Sequence, residues 1–365
     1  MHPDELVLGD EWSELAARRE LPEIDRARLR RYRTRRLREQ LSRVGADMVL
    51  IHNPVSLRYA LDYRTYTLFQ SRTPTTYCFL AQDGPTIAFE AYGDVPLADE
   101  VRSGHALCYF DGGDVMAEAS ERIADDVVSY LDEIGAARRR VALEYINPSV
   151  TRALQDRGVE AIDGMPVTER ARMVKSEDEI SCMRWAIAVA EHGIAKVEES
   201  VRAGVSELQL WALLNYTNIA NDGDWHDGRM LASGPRTNPW LQEASPRRVE
   251  AGDLVALDTD MVGPFGYFAD ISRTFFCGPG DPSPRQKALY REAVAEIEHN
   301  LGLVAPGITL REFQQKSHVP PEEFHAQAYP CIVHAVGMCD EYPRIDPVFT
   351  GENRYDDAIE AGMVL

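Results

Sequence analysis

The sequence predicts a two-domain protein of the α/β (α+β) class, in which an N-terminal α/β domain precedes a second domain built from an internal repeat. The chain has 365 residues, which is longer than one ordinary domain. Residues 47–165 alternate short strand patterns with helical patterns. A helix–helix–strand pattern then occurs twice in the remainder. We place the two domains at residues 1–165 and 166–365.

The N-terminal domain is predicted from one helix and a set of strand signals. Residues 24–46 carry nine arginines among apolar residues at helical spacing, so we predict an amphipathic helix. Its basic face is interpreted as solvated or intersubunit, and a nucleic-acid surface is the less favoured alternative. The segment DMVLIHNP predicts a strand, and TYCFLAQDGPTIAFEAY predicts a hairpin that turns at Asp83-Gly84. This half contains no cluster of chemically reactive residues, which is typical of a supporting domain.

The second domain is predicted to contain a duplicated unit. Ser176 and Glu179 form a capping box in front of an apolar helical face. The segment VRAGVSELQLWALL at 201–214 is then echoed by VAPGITLREFQQK at 304–316, an offset of 103 residues. The strand opening EAGDLV is echoed by EAGMVL at an offset of 110 residues. The shared order of these matches predicts two copies of one helix–helix–strand unit.

The position of the second EAG strand bears on the length of the natural protein. The first EAG strand runs directly into LDTD, a dense acidic cluster, whereas the second reaches Leu365. If the duplication holds, the second copy would supply its own carboxylates beyond Leu365. We therefore expect this chain to be truncated at its C-terminal end.

Composition and charge argue against several classes of protein. The net charge of −20 disfavours nucleic acid and anionic membranes as partners. The acidic N-terminus lacks the apolar core of a secretion signal, and no apolar stretch approaches the roughly 18 residues that a membrane span needs. The six cysteines are scattered without a CxxC pair, which favours reduced thiols over disulfides or a zinc–thiolate site. We predict a cytoplasmic location.

The segment LVALDTDMVGPFGYFADISRTFF places three aspartates in an otherwise apolar hairpin. Asp258 and Asp260 are two residues apart and are expected on one face of a strand. Asp270 follows a glycine-containing turn and is expected on the antiparallel neighbour. Three buried carboxylates would repel one another, and a divalent or ferric metal ion is the simplest remedy. The apolar flanks disfavour the alternative, a solvent-exposed acidic hairpin.

His334 is a second candidate metal ligand, in the segment PCIVHAVGMCDEYP. Taken alone, a single histidine in an apolar run is more often a core residue than a ligand. Because the aspartate hairpin already predicts a metal, we predict that His334 binds it.

The order of four segments identifies a family resemblance. RARMVKSEDEI, LASGPRTNP, the aspartate hairpin ending in SRTFF and a His-x-x-Gly stretch resemble the pita-bread metallopeptidases, which include methionine aminopeptidase, prolidase, aminopeptidase P and the metal-free creatinase. The resemblance covers roughly residues 25–365. It implies a creatinase-like N-terminal domain followed by a pita-bread catalytic domain with a pseudo-twofold repeat.

The same resemblance implies a set of metal ligands. The metallopeptidases of this group bind two metal ions through two aspartates, one histidine and two later glutamates. Asp258, Asp270 and His334 resemble the first three of these ligands. The resemblance places both glutamates beyond Leu365, in agreement with the repeat.

Three departures from the family pattern disfavour peptide hydrolysis, which needs proton donors for the intermediate and the leaving amine. The first of two non-ligand histidines is expected near Trp240 and is absent there. The second is expected about seven residues after His334, where CDEYP offers Asp340 instead. The third departure is Asp260, which replaces the usual small residue and is a possible additional ligand.

These departures resemble one branch, the metallopeptidase-like dimethylsulfoniopropionate (DMSP) lyases, through LDTD, SGPRTNPW and HxVGxCDE. The resemblance implies a homodimer with two metal ions per subunit, with iron favoured and zinc, manganese or cobalt also compatible. It also implies four metal ligands, which correspond to Asp258, Asp260, Asp270 and His334. The implied general base corresponds to Asp340, and the implied active-site tyrosine corresponds to Tyr329.

The reaction implied by this branch is a β-elimination on a small zwitterion. Metal binding to the substrate carboxylate would acidify the neighbouring C–H, Asp340 would remove the proton, and the C–S bond would break to give acrylate and dimethyl sulfide. Aromatic faces are expected against the sulfonium, with Trp240 and Tyr267 as candidates, although ordinary packing is the favoured interpretation of each ring. The branch carries a tryptophan where this chain reads YRTYTLFQSR, and we expect Phe69 in its place.

Three other functions remain open from the sequence. They are a proline-directed metallo-exopeptidase, a metal-dependent enzyme that acts on another small carboxylate, and a non-catalytic binding protein.

Overall fold

The structure is a computed structural model, which describes residues 21–365. Contacts divide these residues into two compact units, one of residues 25–173 and one of residues 174–365 together with 21–24. Within the described chain, none of the helices combines the length and the apolar character that crossing a membrane requires. All six cysteines are free thiols.

The first unit is built around a six-stranded mixed sheet with the strand order β4-β3-β2-β1-β5-β6. Its strands are β1 (Met48–Ile51), β2 (Tyr77–Ala81), β3 (Ile87–Phe89), β4 (Glu100–Arg102), β5 (Arg140–Leu143) and β6 (Glu160–Asp163). Its helices are α1 (Arg26–Val44), α2 (Pro54–Leu61), α3 (Thr67–Arg72), α4 (Tyr109–Gly112), α5 (Met116–Glu133), α6 (Pro148–Asp156) and α7 (Met165–Met173).

The predicted amphipathic helix is α1. The Asp25 side chain accepts a hydrogen bond from the Arg28 amide at its start, and Gly45 ends it in the left-handed conformation with φ 67°. Its apolar face is buried. We predicted that the arginines lie on a solvated face, and the structure shows that one of them does not. Arg33 is fully buried and its guanidinium lies 3.3 Å from the Asp62 carboxylate. The charge of this arginine is tolerated because it is paired.

The predicted hairpin is confirmed. Strands β2 and β3 are antiparallel and flank the turn at Asp83-Gly84. Strand β1 pairs antiparallel with β2 and parallel with β5, so it lies in the middle of the sheet and all four of its residues are buried. A continuous apolar strand is typical of this central position.

The second unit carries three small sheets, ordered β11-β8-β7, β10-β9 and β12-β13. Its strands are β7 (Leu231–Ser233), β8 (Leu254–Asp258), β9 (Met261–Val262), β10 (Phe268–Ala269), β11 (Ser272–Phe276), β12 (Val333–Val336) and β13 (Asp340–Ile345). Its helices are α8 (Glu177–Ser200), α9 (Glu207–Ala220), α10 (Pro284–Leu301), α11 (Leu310–Lys316) and α12 (Glu322–His325). The predicted capping box of Ser176 and Glu179 begins α8.

The predicted duplication is visible as two equivalent backbone arrangements. The Gly204 amide donates to the Val249 carbonyl at 2.9 Å, and the Gly307 amide donates to the Ile359 carbonyl at 2.7 Å. Both glycines are left-handed, with φ 92° and 93°, and each precedes a helix with a hydroxyl N-cap. These bonded pairs keep the sequence offsets of 103 and 110 residues, so the two copies fold alike at this point.

Candidate metal centre

The acidic hairpin is bent between its first two aspartates. Strand β8 ends at Asp258, and Asp260 has a left-handed φ of 33°. The prediction that the two residues lie on one uninterrupted strand is therefore wrong. Thr259 between them is buried, and its hydroxyl donates to the Ala269 carbonyl at 2.5 Å and accepts from the Ile271 amide at 3.0 Å. This inward hydroxyl locks the bend against the opposing strand.

The bend nevertheless brings the predicted ligands together. One carboxylate oxygen from each of Asp258, Asp260 and Asp270 lies within 4.8 Å of the others. Ligand atoms of Asp270, His334 and Asp340 form a second group with the same spacing. Asp270 belongs to both groups, so the four predicted ligands and the predicted base form one continuous cluster.

His334 is oriented by the Asp270 carboxylate on one side of its ring and, on the other, by the Ala335 carbonyl, which lies 3.2 Å from Nδ1. It lies in β12, where the pairing with β13 shifts register between His334 and Ala335. Its Nε2 atom is 3.3 Å from Asp270 Oδ2, and its Nδ1 atom is 3.6 Å from Asp340 Oδ1. The hydrogen bond to Asp270 raises the pKa of His334 to about 9, so the metal-free ring is a cation that compensates part of the negative charge.

The three aspartates share too much negative charge for all to ionise without a cation. Burial, followed by the charge of Asp270, raises the pKa of Asp258 to about 8. Burial and the charges of Asp270 and Asp340 raise the pKa of Asp260 to about 7. Burial opposes ionisation of Asp270 too, but hydrogen bonds from His334 and Asp258 outweigh it and lower the pKa of Asp270.

The donor set fits a metal ion. Asp258 Oδ1 is buried and has no hydrogen-bond partner among the described residues. A buried carboxylate oxygen without a donor is costly unless a cation takes that place. Carboxylates with one imidazole are the ligands of divalent first-row metals. The cluster can therefore hold a metal ion, as the sequence predicts.

A cavity of about 600 Å³ opens onto these ligands within the second unit. Trp240, Tyr329 and Asp340 line it together with the metal-ligand candidates. The Asp340 side chain is 66% exposed, and partial desolvation raises its pKa, assisted by the charge of Asp270 and opposed by that of His334. Tyr329 is 46% exposed, and burial of its hydroxyl raises its pKa, so it stays protonated.

One candidate aromatic contact lies in the core, and another belongs to the first unit. Tyr267 is 1% exposed and its hydroxyl donates to Glu179 at 3.0 Å, so it is a core residue, and the less favoured alternative, that its ring faces a sulfonium, is wrong. A tyrosine ring can bind a cation, but the turn of the hairpin directs this ring into the core. Phe69 lies in α3 of the first unit and is 39% exposed.

Asp227 is an acidic residue beside the cluster that the sequence analysis missed. Its amide donates to the Asp260 carbonyl at 3.0 Å, and its negative charge contributes to the raised pKa of Asp260 and of Asp340. Trp225 donates its indole N–H to the Asp227 carboxylate at 2.8 Å. The available signal was the segment WHDG, which lies shortly before strand β7.

Comparisons with known proteins identify family models and relatives that this chain resembles. Residues 181–365 match the model of metallopeptidase family M24, and residues 33–174 match that of the creatinase/prolidase N-terminal domain. The dimethylsulfoniopropionate lyase DddP of Roseobacter denitrificans is 36% identical over 377 residues, covering 100% of this chain and 83% of that protein. The DddP lyase of Roseovarius nubinhibens is 34% identical with the same coverage.

The fold is also shared with solved peptidases. An Xaa-Pro dipeptidase from Bacillus anthracis superposes with a TM-score of 0.69 over 92% of this chain and 88% of that chain, at 20% identity. The predicted order of a creatinase-like domain and a pita-bread domain is confirmed by these matches. The chain therefore belongs to metallopeptidase family M24 and, within it, to the family of the dimethylsulfoniopropionate lyase DddP.

Proposed function

We propose that the protein is a metal-dependent carbon–sulfur lyase that cleaves DMSP to dimethyl sulfide and acrylate by β-elimination. The observation that carries this proposal is the place of Asp340, whose carboxylate lies 3.6 Å from His334 in the cavity of the aspartate cluster. Two relatives that match the whole chain carry the name of this lyase.

Four side chains would hold the metal: Asp258, Asp260, Asp270 and His334. We propose two metal ions per subunit, with iron favoured over zinc, manganese or cobalt, on the ground of the family resemblance. When bound, the metal supplies a Lewis acid for the substrate carboxylate, which acidifies the adjacent C–H.

Asp340 is the proposed general base. It takes the proton from the carbon next to the substrate carboxylate, the electron pair of that C–H bond forms the C=C bond, and the C–S electron pair leaves with sulfur. Dimethyl sulfide departs neutral, so the leaving group needs no proton donor. The raised pKa of Asp340 brings this carboxylate closer to the strength that a general base needs at neutral pH.

Three aromatic residues are proposed to bind the zwitterion. Tyr329 lines the cavity with a protonated hydroxyl, which can donate a hydrogen bond to the substrate carboxylate. Trp240 lines the same cavity and offers a ring face to the sulfonium. Phe69 is the proposed contribution of the N-terminal domain, within the homodimer that the family resemblance implies.

Headspace gas chromatography tests the reaction directly. We expect dimethyl sulfide to be released from DMSP by the metal-loaded protein and not by a metal-stripped control. Asp340→Asn should slow release by about 10²–10⁴, whereas Asp281→Asn, at an 86% exposed side chain, should leave it unchanged. No release from protein that holds two metal ions would contradict the proposal. Cleavage of an Xaa-Pro dipeptide by that same preparation would show that the protein is a peptidase instead of a lyase.

A further inference from the structure

A buried carboxylate of the second unit closes the loop that borders the aspartate cavity. This segment, the Trp240 loop, comprises residues 233–245 and begins at the end of strand β7. Two of its residues, Trp240 and Leu241, line the cavity. Glu207 is the first residue of helix α9 and is 0% exposed. Because a buried carboxylate is tolerated only with hydrogen-bond or charged partners, the partners of Glu207 indicate what it does.

Each oxygen of the Glu207 carboxylate holds one end of the Trp240 loop. The Oε1 atom accepts hydrogen bonds from the amide and the hydroxyl of Ser233, both at 2.8 Å. The Oε2 atom accepts from the amide of Ser245 at 2.9 Å and from its hydroxyl at 2.6 Å. Since these two serines begin and end the loop, one side chain closes it at its base.

Arg236 adds a charged partner from within the loop. Its Nη1 atom donates to Glu207 Oε2, and its Nη2 atom donates to the Glu243 carbonyl at 2.8 Å. The guanidinium therefore joins the carboxylate to the returning half of the loop. Burial opposes ionisation of Glu207, but the hydrogen bonds from Ser245 and Ser233 outweigh it and lower the pKa of Glu207. The group is consequently charged at neutral pH.

The position of Trp240 depends on how this loop is held. Trp240 lies in neither a helix nor a strand, so no regular element fixes its ring. The loop also contacts the segment that precedes Tyr329, because Asn238 Nδ2 donates to Gln327 Oε1 at 2.6 Å. Trp240 and Tyr329 line the same cavity. The anchored base of the loop therefore supports one wall of the cavity.

We propose that Glu207 is a positioning residue, which holds the Trp240 loop against the aspartate cavity and thereby sets the affinity for the substrate. Glu207 is absent from the described lining of the cavity, so it acts through the loop. A ring that is already fixed binds a cation more tightly than a mobile ring, because less freedom is lost on binding. The inference rests on the proposed function, in which Trp240 faces the sulfonium.

The kinetics of dimethyl sulfide release by the metal-loaded Glu207→Gln variant test this role. Glutamine keeps the size of the side chain but replaces one acceptor oxygen with an NH₂ group, so either Ser233 or Ser245 loses its acceptor. We expect KM for DMSP to rise about five- to tenfold, with kcat within about threefold of the parent and unchanged metal content.

Glu243→Gln is the matched control on the same loop. The Glu243 carboxylate pairs with Arg229 at the surface, where the side chains are 54% and 55% exposed. Exposed ion pairs contribute little, so KM should stay unchanged.

The Trp240→Leu background distinguishes positioning of the ring from general support of the fold. Once the ring is absent, its position no longer matters, so Glu207→Gln should raise KM less than about twofold in Trp240→Leu protein. An equal fold increase of KM in both backgrounds would show that Glu207 does not act through Trp240, and would overturn the proposal.

Ser245→Ala is a milder variant for the case that Glu207→Gln does not fold. It removes one hydroxyl and keeps the amide bond to Glu207. We expect KM to rise about two- to fivefold, as for the loss of a single hydrogen bond. Folded Ser245→Ala protein with the KM of the parent would contradict the proposal.

Hydrogen exchange separates failure of this proposal from failure of the lyase function. Mass spectrometry of the substrate-free, metal-loaded protein should show faster exchange across residues 233–245 in Glu207→Gln, because an amide of Ser233 or Ser245 loses its carboxylate acceptor. Unchanged exchange would overturn the positioning role whether or not the parent releases dimethyl sulfide. Faster exchange in the variant, together with a parent that releases none, would contradict the lyase reaction alone.

Discussion

Lys175 and Glu341 form a buried ion pair, with Nζ 2.8 Å from Oε2 and side chains 1% and 0% exposed. Lys175 lies just before helix α8, and Glu341 follows Asp340 in β13. The second carboxylate oxygen of Glu341 accepts from the Met338 amide at 3.1 Å. The pair therefore anchors the hairpin that carries His334 and Asp340, and a lysine outside the metal cluster contributes to positioning it.

We predict that Lys175→Met lowers the free energy of unfolding by about 3–5 kcal/mol, because the buried Glu341 carboxylate loses its lysine partner. Urea denaturation monitored by circular dichroism measures this change. The matched control is Lys316→Met, at an exposed pair with Glu312, which should change stability by less than about 0.5 kcal/mol. Equal effects of both substitutions would show that burial does not strengthen the Lys175–Glu341 pair.

Gly337→Ala should also destabilise this hairpin. A Cβ atom at Gly337 would lie 2.4 Å from Glu341 Oε2, and the carboxylate is held by Lys175 and Met338, so it has little room to move. We expect a loss of about 1–3 kcal/mol in the same denaturation assay. Gly228→Ala is the control, since its nearest contact would be an ordinary 3.4 Å to Met230. An unchanged midpoint for Gly337→Ala would mean that the hairpin shifts freely.

The metal cluster was predictable because its residue types conflict with their surroundings. Carboxylates inside an apolar hairpin need a cation, and the structure places Asp258, Asp260 and Asp270 within one ligand-sized group. The repeat was predictable from its glycines. Gly204 and Gly307 both adopt a left-handed conformation, which other residues adopt poorly, so each copy of the unit keeps a glycine at this position.

The parts that the sequence did not reveal depend on distant contacts. The bend at Asp260 follows from the Thr259 hydroxyl bonding Ala269, ten residues away on the opposing strand. Tyr267 is drawn into the core by Glu179, 88 residues earlier. Asp227 reaches Asp260 only because their two segments pair. Local patterns do not specify such pairings.

The metal-free protein should lose stability as pH rises from about 5 to 9. The pKa values of Asp258 and Asp260 are raised to about 8 and about 7, so below those values the folded state binds protons that the unfolded state has released. The pKa of His334 is raised to about 9, and its stabilisation is complete below 6.5 and lost as pH rises through 9. All three groups act in the same direction.

Urea denaturation of metal-stripped protein across this range measures the slope, which we expect to reach roughly 1 kcal/mol per pH unit. Asp258→Asn is the control, because it removes one of the three titrations and should flatten the curve. A free energy of unfolding that is constant or rises over this window would contradict the charge arrangement of the cluster.

The stabilisation that a bound metal adds should increase with pH, opposite to the stability of the metal-free protein. The ligands bind a metal ion only after releasing their protons, so the stabilisation by added Fe²⁺ or Mn²⁺ should increase with pH between about 6 and 8. Thermal denaturation with and without metal measures it as a rise in Tm. Asp270→Asn should remove the rise, since Asp270 belongs to both ligand groups. A Tm rise that persists in this variant would place the metal elsewhere.

Asp340→Asn and Asp258→Asn should separate catalysis from metal binding. Asp340 is 66% exposed at the cavity and is the proposed base, so Asp340→Asn should lower kcat for dimethyl sulfide release by about 10²–10⁴ while metal content stays unchanged. Asp258 has a buried oxygen without a hydrogen-bond partner among the described residues, so Asp258→Asn should lose metal and activity together. Metal analysis alongside headspace gas chromatography measures both quantities. Loss of metal in Asp340→Asn would make Asp340 a ligand, because a group that only moves a proton does not hold the ion.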